Sequence, residues 1–177
     1  MKNKNIKEKI KEHFFISPNS KLRVRQIEKK LKLPLPSAIR YAKELEKEGI
    51  LRKLKIEDVT FYSADRSSKS FLLEKRLFNI KAAYSSGMVD FLVGELSNPT
   101  IIVFGSYSKG EDAEDSDIDL YIETQSKKDI RLNKFEKILK RKIQVFRHDS
   151  IHKVANIHLA NNILNGTILN GFEEVFK

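Results

Sequence analysis

The apolar run Thr100-Ile101-Ile102-Val103-Phe104 passes directly into Gly105-Ser106, and eleven residues later the chain reads Asp117-Ile118-Asp119. A short run rich in β-branched residues and closed by glycine predicts a buried strand. Where such a strand turns through Gly-Ser into a helix, backbone amides point into the space above the turn. Glycine permits close approach there, and the serine hydroxyl and helix start supply donors, which suits a phosphate. Glu111 to Asp115 reads as a solvated acidic loop, and Ser116 to Ile122 as a second strand. Alternation along that strand puts Asp117 and Asp119 on one face, about 7 Å apart. Two carboxylates at that spacing can bind a hard cation through oxygen. Mg²⁺ commonly takes one or two protein carboxylates and completes its shell with substrate phosphates. An acidic loop running into an edge strand would also contain two aspartates; the Gly-Ser turn upstream favours the phosphate and metal reading.

The string FGSYSKGEDAEDSDIDLYI, residues 104–122, resembles the signature of the DNA polymerase β-like nucleotidyltransferase superfamily, and most of all its minimal prokaryotic members. Gly105-Ser106, Gly110, Ser116 and the Asp-x-Asp pair all match the family spacing. The likeness is specific over residues 101–122 and loose over residues 71–177. It implies an α/β (α+β) nucleotidyltransferase fold with a small mixed sheet. Gly105 and Ser106 would hold the β and γ phosphates of an NTP, as substrate or ligand, with Lys109 as a helper. Asp117 and Asp119 would be the catalytic pair, holding Mg²⁺ or Mn²⁺ while a nucleoside monophosphate passes to a protein or nucleic-acid hydroxyl. Minimal members pair with a separate helical partner protein in toxin–antitoxin modules, so such a partner is expected here too.

The family pattern has a third carboxylate on the next strand. After a helix from Leu132 to Lys140, the matching strand is Lys142 to Phe146, and the expected acid is Gln144. A neutral amide accepts hydrogen bonds but cannot take the nucleophile's proton. Glu123, about 13 Å beyond Asp119 along an extended strand, and Asp149 are poor replacements. His13, His148, His152 and His158 show no metal-ligand spacing.

Charge divides the chain. The net charge is +10, but residues 1–65 hold seventeen Lys/Arg against nine Asp/Glu, so the remainder carries only +2. That asymmetry is expected when one part meets a polyanion. Within the basic part, Ile6, Ile10, Phe14 and Phe15 share a helical face ended by Ser17-Pro18-Asn19. Val24, Ile27 and Leu31 mark a second helix. Pro36 opens a third, Ser37 to Glu48, with Ile39, Ala42 and Leu45 inward and Gly49 as its cap. Ile50–Lys55 and Val59–Tyr62 read as two strands. This order, with the segment LPLPSAIRYAKELEKEGILRKL, resembles a winged helix-turn-helix. The resemblance implies double-stranded DNA as partner. Ser37, Arg40, Tyr41 and Lys43 would face the major groove, and Arg52, Lys53 and Lys55 the phosphates. Glu44, Glu46 and Glu48 on the same helix count against a purely basic surface.

The expected domains are therefore a winged helix-turn-helix over residues 1–65, a helical connector over 66–98 and a nucleotidyltransferase-like domain over 99–177. In the connector, Leu72, Leu73, Leu77, Phe78 and Ile80 form an apolar stripe, and Met88 to Leu96 a second helix. These helices could join a core, space the domains or form a homodimer seam. Val154, Ile157, Leu159, Ile163, Leu164, Ile168 and Leu169 read as helical core. There is no cysteine, which excludes disulfides, thiolate metal sites and a cysteine nucleophile. Met1-Lys2-Asn3-Lys4 leads into charge rather than an apolar leader, and no run reaches membrane-spanning length; a cytoplasmic protein is expected. Two functions fit. One is a metal-dependent nucleotidyltransferase tethered to DNA; the other is a DNA-binding regulator whose second domain is catalytically impaired.

Overall fold

The computed structural model describes residues 5–174; the lead-in Met1 to Lys4 lies outside the described residues. The chain forms two compact units, Met1–Phe78 and Asn79–Lys177. The stretch expected as a connector is shared between them. No described helix is long and apolar enough to cross a membrane.

In the first unit, α1 (Ile6–Ile16) starts where the Asn5 side chain accepts from the Lys7 amide at 3.2 Å. α2 (Val24–Leu31) starts where Gln26 Oε1 accepts from the Arg23 amide at 2.8 Å. Both contacts satisfy amides that a helix start leaves without intrahelical partners. α3 (Leu35–Lys47) follows with Pro36 in its first turn, and β1 (Leu51–Ile56) pairs antiparallel with β2 (Val59–Ala64). Ile10, Phe14, Phe15, Ile27, Ala42 and Leu45 form the centre of its core. The inward face of α3 runs through Ala38, Ala42 and Leu45, at 3.6-residue spacing. Ile39, expected inside, is one residue out of phase and 39% exposed.

α4 (Lys69–Ser85) begins in the first unit and ends in the second. Phe71 is buried in the first unit's core and Ala83 in the second's, while Leu73 and Leu77, expected in the apolar stripe, are more than half exposed. A single 17-residue helix serving two cores does not keep one continuous buried stripe.

The second unit continues with α5 (Met88–Glu95), β3 (Thr100–Phe104), α6 (Gly105–Lys109) and β4 (Ile118–Glu123). Then come α7 (Asn133–Leu139), β5 (Ile143–His148), a 3₁₀ turn (Ile151–Lys153), α8 (Ile157–Leu164) and β6 (Thr167–Asn170). The sheet order is β5-β4-β3-β6, with β4 and β5 parallel and the other pairs antiparallel. It is a small mixed sheet of the kind that fits a nucleotidyltransferase fold. One face, carrying Ile101, Val103, Ile118, Leu120 and Ile122, packs on Met88, Leu92, Leu132 and Phe135. The other, carrying Ile102, Phe104 and Tyr121, is covered by Ile151, Val154 and Ile163. The C-terminal region is thus not helical throughout. Ile168 and Leu169 lie on an edge strand, where alternation buries Leu169 and leaves Ile168 46% exposed; Ile157 and Leu164 on α8 are exposed as well.

Candidate active site

β3 ends at Phe104, and the backbone reverses through Gly105 at φ +69° into α6. α6 is closed by Gly110 in the left-handed region, and Ser108 Oγ donates to the Gly105 carbonyl at 2.9 Å. The Asp119 carboxylate lies against Gly105. A Cβ built on Gly105 would stand 2.3 Å from Asp119 Oδ2. Glycine is required here twice over, by backbone conformation and by the carboxylate packed on it. Gly105 and Ser106 are half-buried beside the turn, and Lys109 is exposed at the far end of α6.

Sheet register does the rest. Phe104 pairs with Asp119 across the antiparallel β3/β4 ladder, and Asp119 pairs with Gln144 across the parallel β4/β5 ladder. Paired residues point to the same side of a sheet, so Gln144 stands next to Asp119 on the face where a third carboxylate would complete the cluster. Asp117 lies one residue before β4, exposed, rather than within the strand as expected. Burial raises the Asp119 carboxyl above the usual range, and the negative charge of Asp117 raises it further. A divalent cation between the two would relieve that repulsion, and their oxygens are the donors that Mg²⁺ and Mn²⁺ prefer. Among the described residues no group of three or more His, Asp or Glu side chains is gathered for a metal.

The loop before β4 is not simply solvated. Asp112 is 1% exposed. Asn79 Nδ2 donates to its Oδ1 at 2.7 Å and also to the Tyr107 carbonyl at 2.8 Å. Arg141, from the turn between α7 and β5, brings Nη2 to 3.5 Å from Asp112 Oδ2. Burial pushes the Tyr107 phenol up, as does the Asp112 charge. The loop that carries Asp117 is therefore pinned from beneath. Asp112, in a run of acids, gave no sequence signal of burial, and its cationic partner lies 29 residues away.

Beside Asp117 opens a groove of about 730 Å³. Glu114, Asp115 and Asp117 line it from the loop, and Lys137, Lys140 and Lys142 from α7 and the turn after it. Glu136, also in the lining, uses Oε1 to accept from the Ile143 amide at 3.0 Å. The three lysines are exposed, and none makes an ion pair with another described residue.

The two other acids considered from sequence have structural duties. Glu123 Oε2 accepts from the Ile151 amide at 2.7 Å and from the Tyr121 hydroxyl at 3.2 Å. Glu173 hydrogen-bonds Glu123, and burial together with that neighbour's charge pushes its carboxyl up to about 7. Asp149 is exposed, paired with Lys153, and held below the usual carboxylate range by that hydrogen bond. His148 pairs in register with Glu123 and stacks on Tyr121, at the opposite end of β4 from Asp119.

In the first unit, Arg40 stacks over the half-buried Tyr41 ring at 4.4 Å and donates to its hydroxyl at 2.5 Å. The acids of α3 are taken up locally. Lys7 reaches Glu44 at 3.7 Å and Glu48 at 2.5 Å, and Lys53 donates to Glu46 at 2.9 Å. Lys55 pairs with Asp58 at 3.3 Å. Of the residues expected at DNA, Lys43 and Arg52 are exposed and make no ion pair with another described residue, while Ser37 is half-buried.

Residues 89–169 match the family model of the nucleotidyltransferase domain. The matched span takes in the four-stranded sheet up to Leu169, the Gly-Ser turn, both aspartates and Gln144. A search of curated proteins finds no match to the chain.

Proposed function

We propose that the second unit binds an NTP with a divalent cation at Asp117 and Asp119 and transfers a nucleoside monophosphate to a hydroxyl. The observation that carries this reading is the Asp119 carboxylate seated on Gly105, at the turn where β3 enters α6. It supports the reading because a carboxylate that could hold the cation lies within contact of the backbone that would cradle the phosphates. Bound there, the cation would supply charge neutralisation at the phosphates. Gly105 and Ser106 would hold the β and γ phosphates, with Lys109 near the end of α6. The acceptor oxygen attacks the α-phosphorus, the bond from it to the bridging oxygen breaks, and pyrophosphate leaves. The hydroxyl proton goes to solvent or a phosphate oxygen, because Gln144 cannot accept it.

The first unit supports a winged helix that tethers the protein to double-stranded DNA: three helices precede a two-stranded hairpin, and Lys43 and Arg52 are available for phosphates. Gln144 beside Asp119 supports the second reading, a DNA-binding regulator whose second unit keeps nucleotide and metal but turns over poorly. Labelled NTPs with Mg²⁺ or Mn²⁺ separate the two. A transferase labels an acceptor or itself, and Asp119→Ala abolishes the label. A regulator binds nucleotide without labelling, and Gln144→Asp raises its metal affinity. If neither binding nor label depends on Asp117 and Asp119, the site assignment is wrong.

A further inference from the structure

We infer that α8 and β6 form the surface on which two copies of this chain meet as a homodimer. The inference is independent of the nucleotidyltransferase reading and starts from a gap in the charge. Residues 79–177 hold thirteen Lys/Arg and fourteen Asp/Glu, yet none of them falls within residues 154–172. That neutral stretch is not a buried one. Only Val154, Ile163 and Leu169 in it are buried. α8 contributes Ile163 alone to the core, while Ile157 is 68% and Leu164 38% exposed. Ile157, Asn161 and Leu164 stand at i, i+4 and i+7, which is one outward face of the helix. The exposed Ile168 extends it. It pairs with Ile102, and Ile102 packs with Ile163 on the sheet face that carries α8. β6 is also an edge strand. Edge strands are ordinarily guarded by a charge or a proline, and Thr167–Asn170 has neither.

The chemistry of this face says what covers it. A polyanion or an anionic lipid surface needs cations, and the stretch has no Lys or Arg. A separate protein drawn to a chain of net charge +10 would bring acids to meet its Lys and Arg, and this face offers none to pair. A second copy asks the reverse. In a two-fold contact each patch is set against itself, so a surplus of one charge there would oppose its own copy. A neutral face avoids that repulsion, and its polar groups suit the same contact. Asn161 and Asn162 are exposed, and their side chains make no hydrogen bond with another described residue. An amide both donates and accepts, so it can pair with the same amide of a second copy. Apolar side chains with charge depleted among them are the composition of homodimer interfaces.

Sedimentation of the full chain over a concentration series tests this. The wild type should move from 20.5 kDa toward twice that mass, with little change between low and high salt, because no ion pair closes the contact. Ile157, Leu164 and Ile168 are exposed, so Ile157→Glu with Leu164→Glu and Ile168→Glu, or the same three to Lys, should leave the melting temperature near the wild-type value. Each triple variant should have its dimer dissociation constant raised by about a hundredfold or more, through like charges set face to face. Mixing the Glu and Lys variants should restore a dimer, and that dimer should weaken with salt. Ile157→Ser with Leu164→Ser adds no charge and should weaken the dimer about tenfold, which keeps the test open should a triple variant unfold. Leu73→Lys, at an exposed apolar position on α4, should dimerise as the wild type does. A wild type that stays monomeric at every concentration overturns the inference, as does a dimer that all the α8 and β6 variants keep. Folded triple variants that fail to pair on mixing would overturn it too. So would a monomeric wild type that holds a different protein through this face and loses it in either triple variant.

Discussion

Gly105→Ala separates the two reasons for glycine at the turn. At φ +69° an L-residue occupies the left-handed region, at a cost of about 1–2 kcal/mol. The new methyl would also meet Asp119 Oδ2 at 2.3 Å and Cγ at 3.3 Å. The carboxylate is the end of a short side chain and can rotate away, so the collision adds little to the loss of stability. Its effect is to drive the carboxylate from its place. Gly105→Ala should therefore destabilise the second unit by about 1–2 kcal/mol, and by the same amount when Asp119 is already Ala. Mn²⁺ affinity should behave differently. Gly105→Ala should lose nearly as much as Asp119→Ala, and the double variant should be no weaker than Asp119→Ala alone. Urea unfolding followed by far-UV circular dichroism reads the first quantity by linear extrapolation, and calorimetric Mn²⁺ titration reads the second. The reasoning fails if Gly105→Ala keeps wild-type Mn²⁺ affinity. It also fails if the stability cost disappears in the Asp119→Ala background, since the methyl–carboxylate collision and not φ would then have set it.

Arg141→Met should cost about 3–5 kcal/mol, because it removes the guanidinium paired with the buried Asp112 carboxylate; Asp112→Leu in the same chain should recover part of this in urea unfolding. The Glu173 carboxyl is raised from 4.5 to about 7 in the folded state. Its stabilising contribution is then complete below pH 4.5 and lost as pH rises through about 7, so melting temperatures taken across that range should fall more steeply in the wild type than in Glu173→Gln. Metal binding should run the other way: Asp119 is held above its usual range, so Mn²⁺ affinity should climb with pH as that carboxyl ionises. In the first unit, Lys43→Ala with Arg52→Ala should lower the salt slope of duplex binding by about 0.9 for each phosphate left without its cation; an unchanged gel shift would remove both from the interface.

What could be read from sequence was what is local. Thr100–Phe104 is β-branched, apolar and closed by glycine, and it is a buried strand. The Asp-x-Asp pair and the neutral residue at Gln144 were legible because spacing along strands is regular; the register that sets Asp119 beside Gln144 was not. What failed has a common cause. Ile39, Leu73, Leu77 and Ile168 are apolar residues whose exposure depends on which side of an element meets a neighbour. A single charged residue hides its fate equally well: Asp112 looks like Glu111 or Asp115 until Asn79 and Arg141 are brought to it. The groove beside Asp117 is hidden in the sequence for the same reason. Lys137, Lys140 and Lys142 sit in a helix and turn that look like any solvated face until the fold sets them beside Asp117.

The two aspartates are consequently held by different means, and this bears on what Gln144 does. Asp119 takes its place from strand pairing and from the missing side chain of Gly105. Asp117 takes its place from a loop whose anchor, Asp112, is buried against Asn79 and Arg141. Neither mechanism involves the position occupied by Gln144, which is exposed on the neighbouring strand. An amide in place of an acid there leaves Gly105, Asp117 and Asp119 where they are. It removes only a proton acceptor and one negative charge. Burial and the neighbouring Asp117 both oppose the charge of Asp119, a cost that a cation bound there would offset. Gln144→Asp should therefore add both a proton acceptor and a negative charge beside Asp119, raising Mn²⁺ affinity and, if the second unit is a transferase, the rate of labelling as well; a variant that gains neither would show that Gln144 does not face the site.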